Sequence, residues 1–119
     1  MTELEKVYIA CHSKEVASIW QTVLQGKGFK VVSSWHNKEF LPTVEHTVEE
    51  RFEIAQEDLH EIEECDTLLL VSGAGKYSGG KFIEAGIAYG LGKEVFYVGE
   101  RENMLCYLFD KMDLGEENG

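Results

Sequence analysis

Residues 67–91, TLLLVSGAGKYSGGKFIEAGIAYGL, decide the fold that this sequence predicts. The unbroken apolar run at residues 67–71 is typical of a central strand that is buried on both faces of a parallel sheet. A glycine-rich loop follows at residues 72–80, and the small and apolar residues at 83–91 predict a mostly buried helix that Gly92 ends. Strand, loop and helix in this order are typical of an α/β protein.

The same alternation of strands and helices continues in both directions along the chain. Apolar runs predict further strands at residues 7–10, 29–34 and 95–98, and a short helix is expected at residues 104–109. Ser13 and Thr47 are candidate N-caps of two more helices, the second with a capping box completed by Glu50. Helical spacing predicts that their buried faces contain Val16, Ile19, Trp20, Val23 and Leu24 in the first helix, and Val48, Phe52, Ala55, Leu59 and Ile62 in the second.

A chain of 119 residues is long enough for one domain and short for two. We predict a single α/β domain at residues 1–113, built on a doubly wound, flavodoxin/Rossmann-like parallel sheet of four to five strands flanked by helices. The acidic residues 114–119 are expected to form a frayed tail.

Acidic residues outnumber basic ones by 22 to 11, which gives a formal net charge of −11. A nucleic-acid polymer or an anionic membrane is bound through a basic face, so neither is an expected partner. Cys11, Cys65 and Cys106 are too widely spaced for a disulfide framework or a structural zinc site, and no metal or cofactor is expected. No apolar stretch approaches the roughly 20 residues of a membrane span. The expected location is the cytoplasm.

In a doubly wound sheet, the ligand lies beyond the carboxyl ends of the strands, which places residues 11–14, 34–37, 72–81 and 99–103 around it. The loop at 72–81 contains two lysines, Lys76 and Lys81, and no acid, so it is suited to a small anion. Its glycines resemble a Walker A loop, but Phe82 stands where magnesium coordination needs Ser or Thr, so we reject a nucleotide triphosphatase. A purely geometric role for the glycines remains the alternative.

Three residues are the main candidates for chemistry. Glu84 stands one turn into an otherwise apolar helix, where a lone acid is costly unless it is paired or functional. Its alternative role is to accept hydrogen bonds from free amides of the first turn. Asp58 lies on the flank of the predicted buried stripe, between Ile54 and Ile62. Tyr8 in the first strand has a hydroxyl that could orient a carboxylate, with simple core packing as its alternative.

Other residues carry weaker signals. Cys11 and His12 end the first strand, but no nucleophile can be assigned there from spacing. The three remaining histidines, His36, His46 and His60, are expected to be exposed. Trp35 follows a strand and is a candidate for stacking on a base.

Three motifs in this order resemble the nucleoside 2-deoxyribosyltransferase-like superfamily, which includes nucleoside deoxyribosyltransferases and deoxynucleoside 5′-monophosphate N-glycosidases. They are VYIA at residues 7–10, AQEDLHEIEECD at 55–66 and SGGKFIEAGIAYGLGK at 78–93. The resemblance covers most of the chain. It implies that Glu84 is the nucleophile, that Asp58 binds the sugar or helps to protonate the base, and that Tyr8 orients the nucleophile.

The resemblance also implies residues that bind substrate. Ser78 matches a serine that contacts the 5′-phosphate, Asn103 matches a residue lent to a neighbouring subunit, and Gly79, Gly80 and Lys81 belong to the same loop. The chain departs from the family at residues 11–14, CHSK, where a Gly-Ser or Gly-Pro pair is usual. Ser13 and Lys14 are the candidates to replace it.

The implied function is cleavage of the N-glycosidic bond of a (deoxy)nucleoside or its 5′-monophosphate, by hydrolysis or by transfer to a second base. The expected partners are that small molecule and further copies of the chain, in a homodimer or larger homo-oligomer formed through Tyr89 and residues 104–109. A non-catalytic nucleotide-binding module on the same fold is the alternative. A phosphoribohydrolase resembling the lysine-decarboxylase-like proteins ranks last, because its Pro-Gly-Gly-x-Gly-Thr loop is missing.

Overall fold

A computed structural model describes residues 4–37, 46–73, 79–102 and 104–112. The strands are β1 (Lys6–Ala10), β2 (Lys30–Val31), β3 (Thr67–Ser72), β4 (Glu94–Gly99) and β5 (Asp110–Lys111). The α-helices are α1 (Lys14–Gly26), α2 (Val48–Glu64) and α3 (Gly80–Gly90), and short 3-10 turns lie at Trp35–Asn37 and Met104–Leu108.

The five strands form one parallel sheet in the order β2-β1-β3-β4-β5. This order is that of the flavodoxin-like sheet, in which the ligand crevice lies between the first and third strands. The predicted α/β class, the parallel sheet and the central place of β3 are therefore confirmed. The predicted tail at 114–119 lies outside the described residues.

The core has two layers because helices cover both faces of the sheet. Alternate residues of the strands point to opposite faces, as the two-residue period of a strand requires. One layer, under α2 and α3, contains Tyr8, Ala10, Leu68, Leu70, Val95 and Tyr97. The other layer, under α1, contains Val7, Ile9, Leu69 and Val71. All six residues of β3 are buried, as expected for a strand with neighbours on both sides.

Both predicted helix caps are confirmed. The Ser13 hydroxyl accepts a hydrogen bond from the Val16 amide at 3.2 Å and begins α1. At the start of α2, the Thr47 hydroxyl accepts from the Glu50 amide and the Glu50 carboxylate accepts from the Thr47 amide, which completes the capping box. These bonds satisfy amides that have no partner within the helix.

The predicted buried face of α2 is wrong. Val48 is 75% exposed, Phe52 is 63% exposed and Leu59 is 40% exposed, and of the five predicted residues only Ile62 is buried. The face turned toward the sheet instead contains Ile54, Asp58, Glu61 and Ile62, spaced four, three and one residues apart. Asp58 therefore lies in the middle of the inner face rather than on its flank.

The structure also corrects the predicted burial of α1 and α3 and the predicted length of β2. Ile19 of α1 is 63% exposed, and α3 is less buried than predicted because Ile83 is 66% exposed. Strand β2 has only two residues instead of the six predicted, since it is an edge strand and pairs with β1 alone.

None of the helices in the described part of the chain is long and apolar enough to span a membrane.

Candidate active site

A cleft of about 250 Å³ lies at the carboxyl end of β1, between α2 and the first two turns of α3. This is the edge of the sheet where the topology predicts a ligand. The residues that line it are Cys11, His12, Trp35, Ile54, Asp58, Gly80, Lys81 and Glu84. Two of the three main candidates thus lie in one cleft, and the third contacts it from below.

That third candidate, Tyr8, joins the sheet to the cleft. Its ring is fully buried in the layer beneath α3, and its hydroxyl donates a 2.8 Å hydrogen bond to Oε2 of Glu84. The two residues are 76 positions apart in sequence, so the contact depends on β1 and α3 being packed together. The bond fixes one carboxylate oxygen.

Burial raises the pKa of Glu84 to about 7, because desolvation disfavours the carboxylate. The negative charges of Asp58 and Glu61 act in the same direction, and only the hydrogen bond from Tyr8 opposes them. Burial, the charge of Glu84 and then those of Asp58 and Glu61 raise the pKa of Tyr8, so its phenol stays protonated as a donor. Glu84 can therefore change between its acidic and its ionised form near neutral pH.

Glu61 is a contributor that sequence reasoning missed. Its carboxylate accepts hydrogen bonds from the amide of Ser34, at 3.0 Å, and from the hydroxyl of the same serine. These bonds tie the loop after β2 to the inner face of α2. The available signal was its position three residues after Asp58, which places both on one helix face.

The ammonium group of Lys81 is buried and paired with an acid. Its side chain is fully buried, and its Nζ lies 2.8 Å from Oε1 of Glu102. The Ser72 hydroxyl donates to the same oxygen at 2.7 Å. Together with a hydrogen bond from the backbone of Gly73, these contacts lower the pKa of Glu102 to about 2. Glu102, the second residue that sequence reasoning missed, is therefore a firmly ionised partner of Lys81.

The rim of the cleft near β2 is held by polar contacts to the backbone of β1. The Trp35 indole donates a 2.8 Å hydrogen bond to the Ile9 carbonyl, which leaves its ring against the cleft. The prediction that His36 is exposed is wrong: it is 2% exposed, and its Nε2 lies 2.8 Å from the Ser33 hydroxyl. Burial lowers the pKa of His36, which favours the neutral imidazole.

Burial raises the pKa of the Cys11 thiol, so the thiolate that a nucleophile needs is disfavoured. Ser13 uses its hydroxyl locally, since it caps α1 and also donates to Glu15 at 3.2 Å. Lys14 is the first residue of α1.

The remaining predicted binding residues lie at the start of α3 or beyond the described chain. Gly79 is the N-cap of α3 and Gly80 its first residue, at the mouth of the cleft. Ser78 and Asn103 lie outside the described residues, as does Lys76. Within the described ranges, no three His, Cys, Asp or Glu side chains are grouped so as to hold a metal ion.

Comparison with solved structures finds proteins with a similar fold. A 2-deoxyribosyltransferase from Bacillus psychrosaccharolyticus superposes with a TM-score of 0.72 at 27% sequence identity, over 92% of this chain and 87% of that protein. This likeness supports the nucleoside deoxyribosyltransferase-like superfamily that the sequence motifs resemble. No protein-family model and no curated protein sequence matches this chain.

Two further solved structures share this fold. A CMP N-glycosidase of Clostridium botulinum has a TM-score of 0.62 at 21% identity, over 89% of this chain and 83% of that protein. A conserved protein from Enterococcus faecalis V583 has a TM-score of 0.61 at 18% identity, over 84% of this chain and 66% of that protein. At these identities the likeness is one of fold.

Proposed function

We propose that this protein cleaves the N-glycosidic bond of a nucleoside or nucleoside 5′-monophosphate, with Glu84 as the nucleophile. The observation that carries the proposal is the Tyr8–Glu84 hydrogen bond within the cleft at the carboxyl edge of the sheet. The family supports it, because the structural neighbours at 27% and 21% identity are a 2-deoxyribosyltransferase and a CMP N-glycosidase.

The first step parallels that of a retaining glycosidase. A carboxylate oxygen of Glu84 attacks the anomeric carbon of the sugar, and the bond from that carbon to the base nitrogen breaks through an oxocarbenium-like transition state. The electron pair of the broken bond leaves with the base. The product is a glycosyl ester on Glu84. Tyr8, which donates to Oε2, holds the carboxylate in position and leaves Oε1 as the oxygen that we assign to the attack.

The departing base needs a proton, and Asp58 is the acid that we assign to supply it. It lines the same cleft as Glu84, close enough for its charge to act on Glu84, and the reacting form is the one in which Asp58 carries a proton and Glu84 is ionised. Asp58 then takes a proton from the incoming acceptor, which attacks the anomeric carbon and frees Glu84. Water as the acceptor gives hydrolysis, and a second base gives transfer.

The central test is Glu84→Gln. Gln keeps the size of the side chain and can still accept from Tyr8, but its amide is not a nucleophile, so base release should fall by at least about 10³-fold. We expect ligand-dependent melting shifts to survive. The assay incubates the protein with a panel of nucleosides and 5′-monophosphates, with and without a second base, and identifies products by mass.

The matched control is Glu49→Gln, because Glu49 is an exposed acid in the first turn of α2 and is not among the residues that line the cleft. This variant should turn over like the wild type. Unchanged turnover in the Glu84→Gln variant would show that Glu84 is not the nucleophile. Melting shifts with nucleosides but no base release from any substrate would instead support a non-catalytic binding module. That alternative is favoured by residues 11–14, CHSK, which lack the Gly-Ser or Gly-Pro pair that is usual in the family.

We further propose that copies of this chain associate. Apolar side chains are exposed on α3 and the turn that follows β4: Tyr89, Met104, Tyr107 and Leu108, between 48% and 85% exposed. Exposed apolar groups clustered in this way are typical of a protein–protein surface. Light scattering on the eluted protein should give a multiple of 13.5 kDa. A mass of one chain at micromolar concentration would contradict this proposal.

A further inference from the structure

The contacts of Glu102 form a small anion site that the chain fills with its own carboxylate. Oε1 of Glu102 lies 2.8 Å from Nζ of Lys81 and accepts a 2.7 Å hydrogen bond from the Ser72 hydroxyl. The backbone of Gly73 adds another hydrogen bond to the same carboxylate. An ammonium, a hydroxyl and a backbone group are the donors that proteins use to hold phosphate.

This site belongs to the cleft rather than to the outer surface. Lys81 lines the cleft beside Glu84 and sits in the first turn of α3, and its side chain has no exposed surface. Ser72 ends the central strand, where a parallel sheet presents its ligand. The side chain of Glu102 is 17% exposed, so the ion pair is screened from water on most sides.

Backbone geometry brings Glu102 to this position. Gly99 at the end of β4 has φ 91°, and Gly73 after β3 has φ 78°, both in the left-handed region that favours glycine. A Cβ on Gly99 would stand 1.9 Å from the Ser72 carbonyl oxygen. Because both glycines allow the two strand ends to approach, the segment after β4 passes over the end of β3. Glu102 reaches Lys81 as a result of the fold.

The charges that face the cleft decide what it can accept. Among the described residues that line it, Lys81 is the only cation, and Glu102 neutralises it. The other two charged lining residues are acids, Asp58 and Glu84, with Glu61 close behind them. A phosphate monoester carries about −1.5 to −2 charge at neutral pH, so it would meet net repulsion here. A sugar hydroxyl, in contrast, can donate to a carboxylate.

We infer that Glu102 is a specificity-determining residue that restricts the cleft to nucleosides with a free 5′-hydroxyl, because its carboxylate occupies the donors that a 5′-phosphate would need. This inference rests on the proposed function and chooses between its two substrate classes. A monophosphate must displace Glu102 from Lys81 and Ser72 and leave that acid without partners. The inference conflicts with the 5′-phosphate contact that the family resemblance implies for Ser78, and two experiments decide whether the cleft accepts a 5′-phosphate.

The first experiment compares substrates. In the wild type, kcat/KM should be at least about tenfold higher for a nucleoside than for its 5′-monophosphate, because of like charges in the cleft. Glu102→Ala should shrink this ratio at least about tenfold by freeing Lys81 and Ser72 for the phosphate. Glu100→Ala is the matched control, since Glu100 is an exposed acid two residues earlier, and it should keep the wild-type ratio.

The second experiment does not depend on turnover. Inorganic phosphate should raise the melting temperature of Glu102→Ala and leave that of the wild type unchanged. Glu102→Gln, which keeps the size of the side chain, serves if the alanine variant does not fold. The double variant Lys81→Met with Glu102→Gln removes the cation as well, and phosphate should no longer stabilise it.

The outcomes separate the two proposals. A wild type that cleaves the 5′-monophosphate as well as the nucleoside would overturn the inference, and so would phosphate stabilising the wild type as much as Glu102→Ala. If no variant releases base from any substrate, the proposed function fails. In that case, the melting temperatures measured with and without phosphate still decide whether Glu102 fills an anion site.

Discussion

At the scale of single residues, the hydrogen bond from Tyr8 controls how easily Glu84 ionises. It is the one contact that lowers the pKa of Glu84, against burial, Asp58 and Glu61. A nucleophilic Glu84 must be ionised, so kcat/KM should rise with pH and level off above about 7.

The variant Tyr8→Phe tests the effect of this hydrogen bond on the pKa of Glu84. Without the hydroxyl, the pKa of Glu84 should rise further, and the acidic limb of the kcat/KM profile should move to higher pH. Tyr97→Phe is the matched control, because Tyr97 is buried in the same layer on β4, and it should leave the limb in place. A profile that falls as pH rises through 7 would make Glu84 an acid rather than a nucleophile.

Sequence reasoning singled out Glu84, Asp58 and Tyr8, but not Glu61, whose charge raises the pKa of Glu84, or Glu102, which pairs with Lys81. Glu84 stood out because an acid on an apolar helix is rare, which is a local signal. Glu102 and Glu61 carry no local signal. Each acts through a partner 21 to 30 positions away, as Glu102 does with Lys81 and Ser72 and Glu61 with Ser34. Only the folded sheet brings such pairs together.

At the scale of elements, the strand pattern predicted the fold well because buried parallel strands are continuous apolar runs. The inner face of α2 could not be predicted in the same way. Its apolar residues Val48, Phe52 and Leu59 form a regular stripe, yet the stripe with Asp58 and Glu61 faces the sheet. A polar inner face violates the helical rule of burying apolar residues, and such violations are expected where a protein builds a site.

The close approach of β3 and β4 at their carboxyl ends gives a prediction at this scale. Gly99→Ala should destabilise the fold by several kcal/mol, because its Cβ would clash with the Ser72 carbonyl in addition to the roughly 1–2 kcal/mol of left-handed strain. Gly92→Ala is the matched control: Gly92 has φ 82° but open space around a Cβ. The Gly92→Ala variant should lose only the stability that the left-handed backbone strain costs. Denaturant unfolding measures both, and equal losses would contradict the clash.

At the scale of the whole molecule, net charge opposes the association that we propose. Each chain carries −11, so two copies repel one another at low ionic strength. Salt screens this repulsion beyond about 8–10 Å, and apolar contacts are unaffected or strengthened. The proportion of oligomer should therefore rise with salt.

Sedimentation at low and high salt measures this dependence. Met104→Glu should shift the protein toward single chains, since Met104 is 85% exposed on the proposed surface. Ile19→Glu, a change of the same kind at a 63% exposed residue of α1, should leave the oligomer intact. Dissociation by added salt would show that ion pairs, rather than apolar contacts, hold the copies together.

The burial of Glu84 also links proton uptake to folding. Its pKa is about 7 in the folded chain against an ordinary 4.5, so the folded state binds a proton that the unfolded state releases. The stability that this proton contributes is complete below pH 4.5 and is lost as pH rises through 7, by about 3 kcal/mol in all. That is a large share of the ~5–15 kcal/mol that holds a typical domain folded. The ionised Glu84 that the proposed reaction needs is thus the less stable form of the protein, and neutral pH lies where the two forms exchange.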